Sequence, residues 1–294
     1  MIYLDNAATT YPKPEKVYET IDDCMRNYCA NPGRSGHKMA YKSAMVVEET
    51  RDKLAKLFNI KNPMDVVYTF NATDSLNLAI KGLLKTGDHV VTTTMEHNSV
   101  LRPIMQLENI GVSHTFVKAD SEGRVNPVDI EEAINENTKL IITTHASNVV
   151  GTLVDIKAIG QIAKNHDIVY LVDASQSAGV YDINIGEMNI DMLAMPGHKC
   201  LLGPQGTGVL YVNNKIRLES QREGGTGSHS EEIVQPNLYP DKYESGTHNT
   251  PGIAGLGAGV DFILETGIDT IRRHEEELTQ YFIDNISNIE NVIL

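Results

Sequence analysis

Residues 140–173, LIITTHASNVVGTLVDIKAIGQIAKNHDIVYLVD, decide the fold. Leu140–Thr144 and Ile168–Val172 are short, β-branched apolar runs, and Ile156–Lys164 between them repeats its apolar positions at helical spacing. Two strand patterns joined by an amphipathic helix make a βα unit. The helix is long enough to carry the chain over a sheet and return it parallel. The same alternation continues outward on both sides. Further strands are expected at Val66–Phe70, His89–Thr94, Ser113–Val117, Met192–Ala194 and Gly208–Val212, with helices near Ser75–Leu84, Val100–Ile110 and Pro127–Asn135. The fold class is therefore α/β, with one mainly parallel seven-stranded sheet and helices on both faces.

The flanks read differently. Pro14–Tyr28 and Ala40–Phe58 have helical patterns with little strand propensity between them, as do Gly252–Leu264 and Ile268–Ile286. Val292–Leu294 resembles the opening of another strand. The expected organisation is an N-terminal arm and helix over 1–25, a large α/β domain over 26–250, and over 251–294 a linker helix and the start of an incomplete C-terminal small domain.

The composition is that of an ordinary globular protein, with 41% hydrophobic and 22% charged residues in 294. Its 25 basic and 39 acidic side chains leave a net charge of −14, which repels nucleic-acid phosphates and anionic membrane surfaces. Neither is an expected partner, although a pocket can still be locally positive. The N-terminus, MIYLDNAATTYPKPE, has no basic stretch followed by an apolar run, and no eighteen consecutive residues are apolar, so a cytoplasmic location is expected. Cys24, Cys29 and Cys200 form no even disulfide framework and no paired metal-binding spacing. They are expected to be reduced, with Cys24 and Cys29 acting as small buried hydrophobes and no metal bound.

Two segments carry the chemistry. Residues 195–208, MPGHKCLLGPQGTG, place His198 and Lys199 after a strand and before a glycine-rich turn, which limits the freedom of the lysine. Residues 169–176, VYLVDASQ, form an apolar strand that ends in Asp173, and in open α/β sheets the carboxyl ends of strands face the ligand crevice. Alone, Lys199 would be surface decoration and Asp173 a cap or turn former. Together they suit pyridoxal phosphate. The lysine would form an imine with its aldehyde, and the acid would keep its pyridine nitrogen protonated, so that the ring withdraws electrons from a substrate Cα.

With residues 3–10, YLDNAATT, and 244–250, ESGTHNT, these segments resemble the class V aminotransferase family, and within it the cysteine desulfurase and selenocysteine lyase group. The matching stretches span most of the chain. The resemblance implies a pyridoxal-phosphate enzyme of fold type I and a homodimer with active sites at the subunit boundary. It implies transfer of sulfur or selenium from cysteine or selenocysteine, giving alanine and an enzyme persulfide or released sulfide, with a sulfur-acceptor protein as a possible partner. By the same resemblance Lys199 is the imine lysine and the base that moves the Cα proton. His97, in MEHNS over 95–99, stacks on the ring; Asp173 pairs with the ring nitrogen; and Gln176 bonds the phenolic oxygen. Asn148, in THASNVVG over 144–151, lies beside the ring and the substrate carboxylate. Without the resemblance His97 reads as a turn histidine and Asn148 as an Asx turn. The segment Ala72-Thr73-Asp74 follows a strand and opens a helix, so its amides and dipole suit an anion. Thr73 and His198 are the side chains assigned to the phosphate, and by the resemblance Thr247 would reach the phosphate of the neighbouring subunit.

The pattern departs from the family in two places. Pro196 stands where many relatives carry a serine just before Gly-His-Lys, which removes one hydroxyl donor. The family's second domain supplies an arginine for the substrate carboxylate and the sulfur-accepting cysteine, and no residue here occupies either position. The expectation is a chain that binds the cofactor and turns over poorly. Transamination or another Cα or Cβ reaction is the alternative chemistry, and a non-catalytic scaffold that keeps the fold is the alternative from another class.

Overall fold

The computed structural model describes residues 2–32, 36–228, 231–290 and 292. Two helices come first, α1 (Glu15–Asn27) and α2 (Lys38–Leu57). The alternating region follows as β1 (Val66–Thr69), α3 (Ala72–Leu83), β2 (His89–Thr93), α4 (Asn98–Leu107), β3 (Ser113–Val117), α5 (Pro127–Glu132), β4 (Thr138–Thr144), α6 (Ile156–Asn165), β5 (Val169–Asp173), β6 (Met192–Pro196) and β7 (Gly208–Val212). The helices α7 (Thr250–Thr266) and α8 (Ile268–Ile286) end the described chain.

All seven strands form one sheet in the order β1-β7-β6-β5-β4-β2-β3. The pairs β3/β2, β2/β4, β4/β5 and β5/β6 are parallel, whereas β7 runs antiparallel to both β6 and β1. The chain moves outward from β2 to β3 and then resumes with β4 on the other side of β2. That reversal of direction opens a crevice at the carboxyl ends of the central strands.

Strands β1, β2, β4, β6 and β7 carry apolar side chains toward both faces, because helices cover both. On one face Ile141, Tyr170, Val172 and Leu193 pack with Leu54 of α2, Ile159 of α6 and Leu256, Val260 and Ile263 of α7. On the other, Leu140, Ile142, Leu171 and Met192 pack with Leu76 and Ile80 of α3 and Val100 and Ile104 of α4. Helix starts are fixed by side chains that accept exposed amides: Asn71 from Asp74 N at 2.9 Å, Asp155 from Ala158 N at 2.9 Å and Asn249 from Gly252 N at 3.1 Å.

Several boundaries move relative to the sequence reading. β5 is shifted by one residue from the expected Ile168–Val172 and ends in Asp173, as the sequence reading of that acid requires, and β6 continues to Pro196. Pro196 is tolerated there because it is the last strand residue, opposite Gly208. α3 begins at Ala72, three residues before the expected Ser75, because Asn71 caps it. α5 ends at Glu132, short of the expected Asn135. Cys24 is buried against Tyr28 and Ala254, whereas Cys29 is exposed just past the end of α1, where no helix covers it. This corrects the expectation for Cys29. Of the strand expected at Val292–Leu294, Ile293 and Leu294 lie outside the described residues, and Val292 has no regular structure. No helix among the described residues is long and apolar enough to cross a membrane.

Candidate active site

A cavity of about 180 Å³ opens at the carboxyl ends of β1, β2, β4, β5 and β6. Lys199, Asp173, His97, Thr73, His198, Asn148 and Gln176 all line it. Seven of the eight residues singled out in the sequence therefore converge on one space, although they are spread from position 73 to position 199. The eighth, Thr247, is exposed and lines other clefts with Glu244 and His248. No group of three or more His, Cys, Asp or Glu side chains arranged to hold a metal ion occurs among the described residues.

Asp173 is 3% exposed at the floor of the cavity. Its Oδ1 accepts from Ser175 N at 3.0 Å and from Ser175 Oγ at 2.5 Å, which leaves Oδ2 with no hydrogen bond among the described residues. Burial pushes its carboxyl above the ordinary range, while the Ser175 donors and the Lys199 and His97 charges act in the opposite direction. A protonated ring nitrogen against Oδ2 would supply the missing donor and a compensating cation. Lys199 is half-buried, and burial lowers its amine below the usual lysine range against the pull of Asp173.

His97 caps α4, accepting at Nδ1 from Ser99 N at 3.1 Å, with Ser99 Oγ 2.9 Å from the same atom. Ser99 Oγ is also 2.7 Å from Thr73 Oγ1. The serine thus joins the imidazole to the anion end, where the first turn of α3 presents its amides. Asp74, in that same turn, does not oppose an anion strongly, because it is occupied by Arg222 at 3.0 Å and by Phe70 N at 3.1 Å. The turn lies against β7 because residue 208 is glycine: a Cβ there would be 2.5 Å from the Asn71 carbonyl carbon. His198 is kept below the usual imidazole range by burial and by the Lys199 and Lys13 charges.

Gln176 and Asn148 lie at the edge of the cavity. The Gln176 amide donates to Ala7 O at 2.9 Å, so one of its two hydrogens is turned to the N-terminal segment. Asn148 is exposed at the mouth of the cavity.

Sequence reasoning missed three contributors. Ser175 and Ser99 each lie two residues from a recognised group, and the short Asx-type and capping bonds they make were the available signal. The third is Glu96, buried beside His97. Its Oε1 accepts from Thr93 Oγ1 at 2.7 Å and from Thr144 N at 3.0 Å, tying the end of β2 to the end of β4. Its Oε2 is buried without a partner, and burial pushes the carboxyl up to about 8. Nothing in the sequence distinguishes this glutamate from an exposed one.

The cavity's donor set fits pyridoxal phosphate: a carboxylate for the ring nitrogen, a lysine for the aldehyde, an imidazole for the ring face, and hydroxyls with a helix N-terminus for the phosphate. Known proteins carry the same architecture. A cysteine desulfurase from Thermococcus onnurineus NA1, solved without ligand, superposes with a TM-score of 0.90 at 34% identity over 97% of this chain and 73% of that one. The structure of SspA in complex with cysteine matches with a TM-score of 0.79 at 34% identity, covering 89% of this chain and 72% of that one. A probable cysteine desulfurase from Methanothermobacter thermautotrophicus is 36% identical over 99% of this chain and 74% of its own length. The sequence profile of the aminotransferase class-V family matches residues 2–294, and the chain belongs to that family.

Proposed function

We propose that this chain is a pyridoxal-phosphate-dependent cysteine desulfurase that holds the cofactor on Lys199 and removes the sulfur of L-cysteine, leaving L-alanine. The observation that carries the reading is the meeting of Lys199 with a buried, half-satisfied Asp173 in one cavity that also holds His97, Thr73 and His198. The cysteine desulfurase relatives, and the neighbour in complex with cysteine, support the choice of substrate. Selenocysteine has the same shape and would enter by the same contacts.

Bound there, the cofactor supplies an electron-withdrawing ring that takes up the electrons left when a bond to the substrate Cα breaks. Asp173 holds a proton on the ring nitrogen, and Ser175 holds Asp173. The Lys199 amine, lowered by burial, carries the Cα proton. His97, fixed at Nδ1 by Ser99, covers the ring face, and Thr73, His198 and the α3 amides hold the phosphate. With a thiol present the reaction balances as L-cysteine plus R–SH giving L-alanine plus R–SSH.

None of the three cysteines lines the cavity. Cys200, next to Lys199 in sequence, donates from Sγ to Gln176 O at 3.5 Å, and burial pushes its thiol up to about 12, so it is a poor nucleophile. In this reading none of these three cysteines is the acceptor thiol, a small thiol or a sulfur-acceptor protein can take that role, and a second copy of the chain would bring Thr247 to the phosphate.

The test is to load the purified chain with pyridoxal phosphate, add L-cysteine and dithiothreitol, and analyse the products. Alanine and sulfide in equal amounts are expected, together with loss of borohydride-fixed cofactor in Lys199→Ala. A keto acid with aminated cofactor would replace desulfuration with transamination. A chain that binds no cofactor would leave only the scaffold reading.

A further inference from the structure

The segment YLDNAATT is part of the family pattern, yet none of its residues enters the chemistry above. In the structure residues 5–13 lie as a strap across the turn that carries Lys199. Thr10 N is 3.2 Å from His198 O, Thr9 Oγ1 is 3.1 Å and Thr10 Oγ1 3.2 Å from the same oxygen, and Lys13 Nζ donates to it at 2.6 Å. Thr10 Oγ1 is also 3.0 Å from Lys199 O and accepts from Lys13 Nζ. A hydroxyl has one proton, so the bond from Lys13 directs that of Thr10 outward to a carbonyl of the turn. Thr9 Oγ1 lies 3.0 Å from His198 Nδ1. When Thr9 donates there, the neutral imidazole keeps its proton on Nε2, the tautomer a phosphate donor needs.

Lys13 is half-buried and makes no ion pair with a carboxylate among the described residues; its ammonium donates to Thr10 Oγ1 of the strap and to His198 O of the turn. Burial lowers its amine to about 8. A desolvated ammonium without a counter-charge is costly for a surface strap, so its benefit must be local. The turn it holds is strained: Leu202, a bulky residue, has φ +61° three residues after Lys199, with Leu202 N bonded to Lys199 O at 2.9 Å. Such a conformation persists only where surrounding contacts over-determine it.

We propose that Lys13 is a positioning residue for the cofactor site, its ammonium acting with Thr10 to lock the His198–Lys199 peptide and so fix the direction from which the Lys199 side chain enters the cavity. The proposal rests on Lys199 being the cofactor lysine, and its test separates the two. In cofactor-free chain, amide exchange at Cys200 through Gly203 should rise about tenfold in Lys13→Met, the loss of one charge-assisted hydrogen bond, and return in Lys13→Arg. In loaded chain the dissociation constant for pyridoxal phosphate should rise about tenfold in Lys13→Met and in Thr10→Val. The pH at which the bound cofactor's absorbance titrates should shift in both variants, while their cofactor-free melting midpoints stay near that of the parent. Unchanged exchange overturns the proposal whether or not the parent binds the cofactor. Unchanged affinity and titration in both variants overturn it as well. Failure of the parent to bind pyridoxal phosphate overturns the proposed function instead, and the exchange measurement then decides the role of Lys13 in the turn.

Discussion

Replacing Glu96 with Gln should change how the stability of the cofactor-free protein depends on pH. The carboxyl is held between β2 and β4 by Thr93 Oγ1 and Thr144 N, and its Oε2 is buried without a partner. Burial, the largest influence, raises it from 4.5 to about 8, and the two donors oppose that only in part. The folded chain therefore binds this proton more tightly than the unfolded chain. The stability it contributes is fully present below pH 4.5 and is lost as the pH rises through 8. Each pH unit in that window is worth about 1.4 kcal/mol, so between pH 5 and 8 the parent should lose up to roughly 4 kcal/mol relative to a variant that cannot ionise. Glu96→Gln keeps an acceptor for both donors and stays neutral. It should melt close to the parent at pH 5 and above it at pH 8, by roughly 2 °C per kcal/mol for a chain of this size. The assay is thermal unfolding of both proteins by circular dichroism across this range. His145, buried against Ser177 and lowered to about 4, acts in the other direction, losing stability as the pH falls from 6.5, but it is common to both proteins and cancels in the difference. A parent-to-variant difference that is constant from pH 5 to 8 would refute the reasoning.

Other substitutions probe the remaining supports. Asp173→Asn removes the charge beneath the ring nitrogen and should weaken pyridoxal phosphate binding by more than tenfold, whereas Ser175→Ala, which leaves Asp173 Oδ1 without its side-chain donor, should cost about 1.5 to 3 kcal/mol of that binding. Both are read by equilibrium dialysis of the cofactor. Gly208→Ala forces a methyl to within 2.5 Å of the Asn71 backbone and should destabilise the fold by about 1 to 3 kcal/mol in urea unfolding while weakening inorganic phosphate as a competitor of the cofactor. Glu244→Ala removes the bidentate partner of Arg51, which donates to Glu244 from both terminal nitrogens at 3.0 and 3.1 Å while 1% exposed and would keep only Glu48 at 3.5 Å as counter-charge, and should cost up to about 3 to 5 kcal/mol of unfolding free energy.

The sequence determined the α/β class, the seven strands and the approximate span of each helix, because these depend on the local period of apolar side chains, and that period survives without a partner. The βαβ stretch over 140–173 forms β4, α6 and β5 with boundaries moved by no more than two residues. Segments rich in local chemistry were legible too, since Asp173 at a strand end and Lys199 before a glycine-rich turn declare themselves within a few residues. The tertiary structure decided the rest. The order β1-β7-β6-β5-β4-β2-β3 depends on which strands pair, including Val66 of β1 with Tyr211 of β7 and β4 with β2 rather than with β3, and no local pattern encodes that choice. The convergence of seven candidates on one cavity follows from that order, as do the neutralising burial of Glu96 and the strap from Lys13 to His198 O. Burial and long-range hydrogen bonds set what a side chain can do. They belong to the folded arrangement, so the same glutamate or lysine reads as ordinary until its neighbours are brought to it.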